Sequence, residues 1–299
     1  MGSGNGRQAD PQREGRLFVV GTPIGNLGDF APRAQRAFSE ADAILCEDTR
    51  VTSKLLAHLG ISKTLLRCDE NVIASRAPEL TDRMLAGETF AFASDAGMPS
   101  VSDPGQVLVD AAREAGVPVE VVPGPSACVT ALVASGIPCD HFFFEGFLPR
   151  KHGERVRRLG ELAHVPGALI FYESPHRAEA SCEAIAEVFP ARTVALCREL
   201  TKLHEEVLRA PAAELVETLR ERGEMRGEMV IVVSGPGEGG AAPARPAAGA
   251  QTDPLGALDA DIALALEAGE PAAKAAKRLS QKYSMRKREV YERVVELRG

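Results

Sequence analysis

Three short polar stretches carry the residue types that could do chemistry, and each follows a run of apolar residues. Residues 94–105 read SDAGMPSVSDPG, with two Asp and three Ser. Residues 47–50 read EDTR, and residues 172–177 read YESPHR. Carboxylates and imidazoles can accept a proton, and guanidinium groups hold phosphate. The three stretches therefore predict ligand binding and proton handling at the ends of strands.

Each stretch also has a purely structural interpretation. Asp103 followed by Pro104 is a good helix start by itself, although that leaves residues 94–97 unexplained. The charges of residues 47–50 are of the kind that often form a solvated ion cluster. A lone His such as His176 is more often structural than catalytic. PGPSA at residues 123–127 fits a Pro-rich helix entrance as well as a ligand-facing turn.

The elements that must position these residues alternate between short apolar runs and helical patterns. Continuous apolar strands predict a parallel sheet with both faces covered. The polar loops then share one edge of that sheet, since parallel strands end on the same side. The strands are expected at residues 17–20, 43–46, near 65, 90–93 and 117–122.

Beyond about residue 138 the loops become longer and more charged, while strands and helices still alternate. This continued alternation of strands and helices predicts a second α/β domain with its own sheet. The Gly, Ala and Pro run that follows predicts a flexible linker, and the last residues predict three short helices that resemble a helix-turn-helix module. The expected division is disordered 1–15, α/β 16–138, α/β 139–234, linker 235–254 and basic helical RNA-binding module 255–299.

The charge is unevenly distributed along the chain. The net charge is −7, yet residues 271–299 contain nine Lys or Arg and three Glu, a balance of +6, which leaves −13 for the remainder. An acidic body with a basic tail is typical of a protein whose tail contacts a polyanion. With no Trp and three Tyr, stacking of bases on exposed aromatic rings is not the expected mode of contact.

The six cysteines include no C-x-x-C pair. This pattern predicts buried, reduced thiols in a cytoplasmic protein and no metal site. The polar, Gly-rich start of the chain is unlike a signal peptide, and no apolar stretch approaches 18 residues, so no membrane span is expected. The sequence also lacks G-x-G-x-x-G, a P-loop, G-x-S-x-G and H-E-x-x-H, which disfavours the nucleotide-binding, hydrolase and zinc-protease classes that depend on them.

Eight motifs in a fixed order resemble the tetrapyrrole methylase superfamily and, within it, the ribosomal RNA small subunit methyltransferase family. The resemblance extends from about residue 17 to residue 233, and the tail is similar to the family's C-terminal extension. The motifs are GTPIGNLGD, CEDTR, SDAGMPSVSDPG, PGPSA, EGFLPRK, FYESPHR, RELTKLHEE and GEMVIVV. Gly21 is a departure, since a larger residue is expected there, and it predicts a more flexible first loop.

The resemblance implies 2′-O-methylation of a cytidine ribose in the decoding region of 16S rRNA, with S-adenosyl-L-methionine as donor. It implies two α/β domains with the donor in the cleft between them, a homodimer, and 16S rRNA or the 30S ribosomal subunit as partner. Two alternatives stay open: methylation of a tetrapyrrole precursor, and a non-enzymatic RNA-binding protein. The basic tail and the EDTR and ESPHR motifs favour RNA.

Carried over by position, the resemblance also implies a set of site residues. The donor site is expected at Pro23, Ser94, Asp95, Ala96, Gly97, Ser126 and Ala127, with Tyr172 and Glu199 approaching from the second domain. The candidates for a general base are Glu47, Asp48, Glu173 and His176. RNA phosphates are expected at Arg50, Arg150, Lys151, Arg177, Lys202, Lys277, Arg278, Arg286, Lys287 and Arg288.

Overall fold

The computed structural model of the chain describes residues 14–99, 105–237, 258–259, 261–262, 265–266, 271–283 and 285–298. These residues form two compact units, one containing both sheets and the other the C-terminal helices. Three predictions lie wholly or mainly outside the described residues: disorder at 1–15, the helix start at Asp103 and Pro104, and the linker at 235–254.

The first sheet has five strands in the order β3-β2-β4-β1-β5, and all of its pairings are parallel. Its strands are β1 (Arg16–Val20), β2 (Ala43–Cys46), β3 (Thr64–Arg67), β4 (Thr89–Ala93) and β5 (Val119–Val122). The helices that follow them are α1 (Pro32–Glu40), α2 (Thr49–Leu59), α3 (Ile73–Leu85), α4 (Gln106–Glu114) and α5 (Ala127–Ser135).

The predicted parallel sheet is confirmed, and its central strands are buried on both faces. Phe90 and Phe92 of β4 point to one face and pack with residues of α3 and α4. Ala91 of the same strand points to the other face and packs with residues of α1 and α2. Burial on both sides explains why these strands are continuously apolar instead of alternating.

The second sheet is mixed, with the order β6-β7-β10-β8-β9. Strands β6 and β7 run parallel, whereas β10 pairs antiparallel with β7 and β8. Its strands are β6 (Phe142–Phe147), β7 (Ala168–Glu173), β8 (Thr193–Arg198), β9 (Glu206–Pro211) and β10 (Met229–Val233). Its helices are α6 (His152–Leu162), α7 (Pro175–Val188) and α8 (Ala212–Arg222).

Helix α5 links the two sheets through the core. It follows β5 of the first sheet, but its Cys128 and Ala131 pack with Ile170 and Val232 of the second sheet. The helix therefore belongs to the second sheet by packing, although it precedes the predicted domain boundary at residue 138. That shared core allows loops of both sheets to line a common cleft.

The C-terminal unit has an apolar core of its own. Helices α9 (Ala272–Lys282) and α10 (Lys287–Arg298) pack together, and residues 258–259, 261–262 and 265–266 are helical as well. The core contains Leu258, Ile262, Ala276, Leu279, Val290 and Val294. Among the described helices, none is long and apolar enough to cross a membrane.

The structure describes all six cysteines; none of them forms a disulfide, and all except Cys139 are buried. Burial raises the pKa of Cys182 and of Cys197 to about 12. A thiol with so high a pKa carries almost no thiolate near neutral pH and is therefore inert. These cysteines pack as small apolar residues.

Candidate functional site

The carboxyl edge of the first sheet is held together by main-chain hydrogen bonds. The Thr22 N–H donates to Gly97 O at 2.9 Å, and the Gly97 N–H donates back to Thr22 O at 3.2 Å. The Thr22 hydroxyl also donates to Ser94 O at 3.2 Å. Gly97 has φ of +82°, a conformation in which a side chain is strained. The loop after β1 is thus paired directly with the loop after β4.

Two glycines let the loops after β1 and β5 touch. The Gly21 N–H donates to Val122 O at 3.0 Å. A Cβ atom on Gly21 would lie 2.6 Å from the Gly124 main chain, and a Cβ atom on Gly124 would lie 2.7 Å from Gly21. Gly21 therefore allows the two loop backbones to approach closely. The sequence had predicted a different role for this small residue, namely a more flexible loop.

A cleft of about 470 Å³ lies between these loops and the second sheet. Six of the nine predicted donor-site residues line it, namely Asp95, Ala96, Gly97, Ser126, Ala127 and Tyr172. The base candidate Glu173 lines it too. The sequence prediction did not include the rest of the lining, which consists of Ile24, Met98, Phe147, Ser174, Pro175, Gly227, Glu228, Met229 and Val230.

Most of the residues that the prediction missed are apolar, and some of them directly follow a predicted site residue in the chain. Ile24 follows Pro23, and Met98 follows Gly97. An apolar residue at a strand end looks the same in sequence whether it faces the core or a cavity. Small residues on one wall and apolar side chains on the other are typical of a pocket for a small organic ligand.

A second cavity of about 280 Å³ adjoins the first sheet between the loop after β1 and helix α2. The remaining first-sheet donor predictions, Pro23 and Ser94, line this cavity. Asp95 is common to the linings of both cavities. The predicted donor loop is therefore divided, with Ser94 on one side and residues 96–97 on the other.

Asp48, Arg50 and Asp95 form one polar group at the ends of β2 and β4. Asp48 caps α2 by accepting from the Arg50 N–H at 2.8 Å, and its carboxylate also pairs with the Arg50 guanidinium. These bonds lower the pKa of Asp48 to about 2. The Asp48 N–H donates to Asp95 Oδ1 at 3.1 Å. Partial burial raises the pKa of Asp95, and the charge of Asp48 adds to that rise.

The other three base candidates have different surroundings. The carboxyl side chain of Glu173 is fully buried and accepts from the Ser174 N–H at 2.9 Å and the Ser181 hydroxyl at 2.5 Å. Arg177 lies 3.3 Å from the same carboxylate. His176 is exposed at the start of α7, and Glu47 is half-buried after β2.

Glu199 lies behind the cleft and does not line it. Its carboxylate accepts from Lys202 Nζ at 2.8 Å and from the Glu228 N–H at 3.0 Å, and the bond from Lys202 lowers its pKa. Its backbone has φ of 51°, uncommon for a residue with a side chain. A Cβ atom on Gly227 would lie 2.5 Å from Glu199. Glu199 thus positions residues 227 and 228, which do line the cleft.

The predicted phosphate-binding residues of the sheet-containing unit are partly engaged with protein groups. Arg177 donates to Leu148 O at 2.6 Å, and Lys202 pairs with Glu228 at 3.1 Å as well as with Glu199. Lys151 pairs with Glu154 at 3.1 Å, and Arg150 is exposed beside it. The Lys151–Glu154 pair is exposed on both sides, and exposed ion pairs are weak enough to exchange for phosphate.

A buried arginine supports the loop that carries Arg150 and Lys151. Arg155 is 3% exposed and donates to Pro149 O at 3.2 Å, Arg150 O at 3.0 Å and Ala180 O at 2.7 Å. Burial lowers the pKa of Arg155. Three carbonyl acceptors satisfy the buried guanidinium, which fixes the loop against helix α7.

The predicted phosphate-binding residues of the C-terminal unit are exposed on or beside α9 and α10. Arg286 lies 3.9 Å from Glu289, and Arg288 lies 2.9 Å from Glu292. The partners in each surface pair are about one helix turn apart. The complete set in this unit is Lys277, Arg278, Arg286, Lys287 and Arg288.

Comparisons with known proteins find a methylase family and, within it, enzymes that act on ribosomal RNA. A model of the tetrapyrrole (corrin/porphyrin) methylases matches residues 16–216. The chain is 46% identical to the ribosomal RNA small subunit methyltransferase I of Xylella fastidiosa, over 74% of this chain and 82% of that protein. It is 40% identical to the protein of the same name from Mesorhizobium japonicum, over 95% of this chain and 93% of that protein.

Solved structures with the same fold include other methyltransferases. The crystal structure of the methyltransferase CobJ matches with a TM-score of 0.56 at 22% identity, over 74% of this chain and 95% of that one. A uroporphyrin-III C-methyltransferase from Thermus thermophilus, complexed with S-adenosyl homocysteine, matches with a TM-score of 0.53 at 21% identity, over 74% and 97%. These likenesses establish the fold of the sheet-containing unit.

Proposed function

Because the chain belongs to the tetrapyrrole methylase family and, within it, to the ribosomal RNA small subunit methyltransferases, we propose that it methylates the RNA of the small ribosomal subunit. The methyl donor is S-adenosyl-L-methionine. The single observation that carries the assignment of the site is that residues next to both sheets line one cleft, among them Asp95 and Ala127 on one side and Tyr172 and Val230 on the other.

The lining of the larger cleft fits this donor. Ala96, Gly97 and Ala127 leave room for a ligand against the main chain, while Ile24 and Met98 offer apolar contact. The carboxylates of Asp95 and Glu228 suit the hydroxyl and ammonium groups of the donor. When bound, the donor supplies a methyl group already activated on a positively charged sulfur.

The protein then has to align the acceptor oxygen and receive its proton. Alignment of two reactants in one site can account for roughly 7–11 kcal/mol of barrier lowering, and a general base for about 10²–10⁴-fold in rate. Among the four base candidates, Asp48 is a poor base because its bonds with Arg50 lower its pKa to about 2. The Glu173 carboxylate already accepts three hydrogen bonds or ionic contacts. Glu47 and His176 are therefore the candidates to substitute first.

We further propose that the acceptor is the 2′-hydroxyl of a cytidine in the decoding region of 16S rRNA. The order of the motifs and the similarity to the small subunit enzymes support this assignment. A methyl group on the 2′-oxygen blocks alkaline cleavage of the adjacent phosphodiester. The modified position is therefore read directly as a gap in an alkaline hydrolysis ladder.

The test is methyl transfer from radiolabelled donor to 30S subunits, free 16S rRNA and a corrin precursor, in parallel. We expect label in the 30S subunits or the rRNA and none in the corrin. Label in the corrin alone would replace the proposed function with tetrapyrrole methylation. Transfer to none of the three, with RNA binding retained, would indicate a non-enzymatic RNA-binding protein.

We propose that the basic C-terminal unit adds RNA affinity that is independent of sequence. Each phosphate contact contributes about −0.7 to −0.9 to the slope of log affinity against log salt. Replacing Lys277 and Lys287 by Gln together is expected to weaken RNA binding and to flatten that slope by one to two units (about one per phosphate contact). An unchanged slope contradicts the proposal.

We also propose a homodimer. Helix α5 exposes two valines one turn apart, Val129 at 48% and Val133 at 76%, and exposed apolar side chains in one place are typical of an interface. Light scattering after size-exclusion chromatography measures the mass directly. A dimer that Val133→Glu converts to a monomer supports the proposal, and a monomeric wild-type protein contradicts it.

A further inference from the structure

The smaller cavity, of about 280 Å³, is the feature that the donor does not explain. It lies between the loop after β1 and the first turns of α2, and its lining includes Pro23, Thr52 and Lys54. Its volume is near the lower end of the roughly 300–1,000 Å³ typical of small-molecule pockets. It adjoins the donor cleft at Asp95, the residue that both linings share.

The rim of this cavity combines apolar and cationic side chains. Leu27 is 44% exposed and Val51 is 40% exposed, so both present apolar surface to whatever enters. Lys54 is exposed on α2 and forms no ion pair with any residue that the structure describes. Arg50, on the same helix, is instead paired with Asp48. The rim therefore offers a lysine ammonium group to an anion beside an apolar pocket.

A nucleotide has the complementary chemistry. Its base offers a flat apolar face, and its phosphate is an anion that a lysine holds as a point charge. Proteins that act on single-stranded RNA turn an unstacked base into a pocket and hold the backbone outside. The apolar rim at Leu27 and Val51 suits the base, and Lys54 suits the phosphate.

The position of the cavity suits the reaction. In methyl transfer to a ribose, a bond forms between the 2′-oxygen and the methyl carbon while the bond from that carbon to sulfur breaks. The sulfur loses its positive charge, and the hydroxyl proton passes to a base. The acceptor oxygen must approach the carbon from the side opposite sulfur, so the acceptor pocket has to open onto the donor pocket. The two cavities are adjacent, since Asp95 belongs to the linings of both.

We propose that the smaller cavity binds the target nucleotide of the acceptor RNA, with Lys54 contacting its phosphate and the Leu27 and Val51 rim contacting its base. The proposal rests on the proposed function and deepens it. In this proposal helix α2 holds the acceptor. The acceptor cavity lies on one side of Asp95, and the donor cleft lies on the other.

Two variants test the cavity from different directions. Lys54→Glu reverses the charge at the rim, and Val51→Trp fills the opening with a larger side chain. Both positions are exposed on α2, so neither substitution disturbs the core. Arg113→Glu is the matched control, since Arg113 is exposed on α4, which covers the opposite face of the sheet from α2.

Each variant is measured in three ways: thermal unfolding, the dissociation constant of S-adenosyl homocysteine by calorimetry, and methyl transfer to 30S subunits at several salt concentrations. Lys54→Glu is expected to raise the half-saturating concentration of 30S subunits about tenfold and to flatten the salt slope by about one unit. Val51→Trp is expected to lower kcat/KM at least about tenfold. Donor affinity stays within twofold of wild type in both, and the control behaves like wild type.

Three outcomes overturn the proposal. One is methyl transfer by both variants at the wild-type rate and salt slope. Another is an equal loss in Arg113→Glu, which would show a general charge effect. A third is weakened binding of S-adenosyl homocysteine by either variant, which would make the cavity part of the donor site. If the wild-type protein transfers methyl groups to neither 30S subunits nor rRNA, the proposed function itself has failed, and the acceptor assignment falls with it.

Discussion

The two sides of the larger cleft are built by different means. The first-sheet side is fixed by main-chain contact, with Thr22 paired to Gly97 and Gly21 packed on Gly124. The second-sheet side is fixed by two charged side chains: Glu173, which lines the cleft and has three partners, and Glu199, which lies behind the lining and has two. One wall depends on the absence of side chains, and the other depends on specific side chains.

Because of this difference, a substitution is expected to destabilise the two sides of the cleft by different mechanisms. On the first-sheet side an added carbon has no space, because its neighbours are main-chain atoms that cannot rotate away. On the second-sheet side a removed carboxylate leaves buried donors without acceptors, and the cost is the desolvation of those donors. Steric substitutions therefore test the first wall, and polar deletions test the second.

The largest effect is expected for Gly124→Val. The new side chain would start 2.7 Å from Gly21, and overpacking costs typically 1–3 kcal/mol, with about 3 kcal/mol expected here because the obstruction is backbone. Denaturant unfolding measures the loss, and calorimetry is expected to show loss of donor binding as the loops after β1 and β5 separate.

A glycine in open space provides the control for that variant. Gly160 lies in α6, and a Cβ atom added to it would meet no other atom within 4 Å. Gly160→Ala is expected to raise the free energy of unfolding by about 0.5–1 kcal/mol, since alanine is the better helix former. Equal effects at the two glycines would contradict the distinction between the walls.

The next effect concerns the second wall, through Glu173→Ala. Removing the fully buried carboxylate deprives the Ser181 hydroxyl, the Ser174 N–H and Arg177 of an acceptor. We expect a loss of about 2 kcal/mol in the free energy of unfolding. Glu173→Gln keeps an oxygen for Ser181 and is expected to lose less than half as much.

The kinetics of the Glu173→Ala and Glu173→Gln variants distinguish two roles of Glu173, the positioning of its neighbours and the transfer of a proton. If Glu173 positions its neighbours, Glu173→Gln retains kcat within about tenfold, and the pH profile keeps its shape. A loss of kcat beyond about 10²-fold with normal stability and donor affinity would make Glu173 the general base.

A smaller effect is expected for Asp95→Ala at the junction of the two cavities. The substitution removes the acceptor of the Asp48 N–H and a carboxylate that lines the donor cleft. We expect donor affinity to fall about tenfold, or about 1.4 kcal/mol, with less than 1 kcal/mol lost in unfolding free energy. Asp95→Asn, which keeps an acceptor for Asp48, separates the hydrogen bond from the charge. Unfolding without loss of donor affinity would make the loop purely structural.

The smallest effect is a pH dependence at Asp48. Its pKa in the folded protein is about 2, below the ordinary value of 3.8, so the carboxylate stabilises the fold above about pH 3.8, and that contribution disappears as the pH falls toward 2. Asp48→Asn is therefore expected to flatten the acid limb of the stability curve between pH 4 and pH 2. Asp110→Asn, at an exposed carboxylate on α4, serves as the control, and identical curves for the two variants would contradict the assignment.

The sequence by itself determined the first sheet and half of the site. Continuous apolar runs such as residues 43–46 and 89–93 can only be buried on both faces, which fixes a parallel sheet and brings its polar loops to one edge. The ordered motifs then predicted site residues in the loop after β4, and the structure places Asp95 and Gly97 of this loop in the lining of the larger cleft. These are local properties, because strand periodicity and loop composition depend only on residues that are neighbours in the chain.

Only the tertiary structure decided which of those residues line a cleft and which support the residues that do. Strand β9 was not predicted, because an edge strand with mixed exposure has no apolar run to mark it. The buried Glu173 carboxylate accepts a hydrogen bond from Ser181, eight residues away on α7. The placement of Lys54 beside Ser94 and Asp95 depends on how α2 packs on the sheet. Contacts between residues far apart in the chain set burial and cavity shape, and no short pattern encodes them.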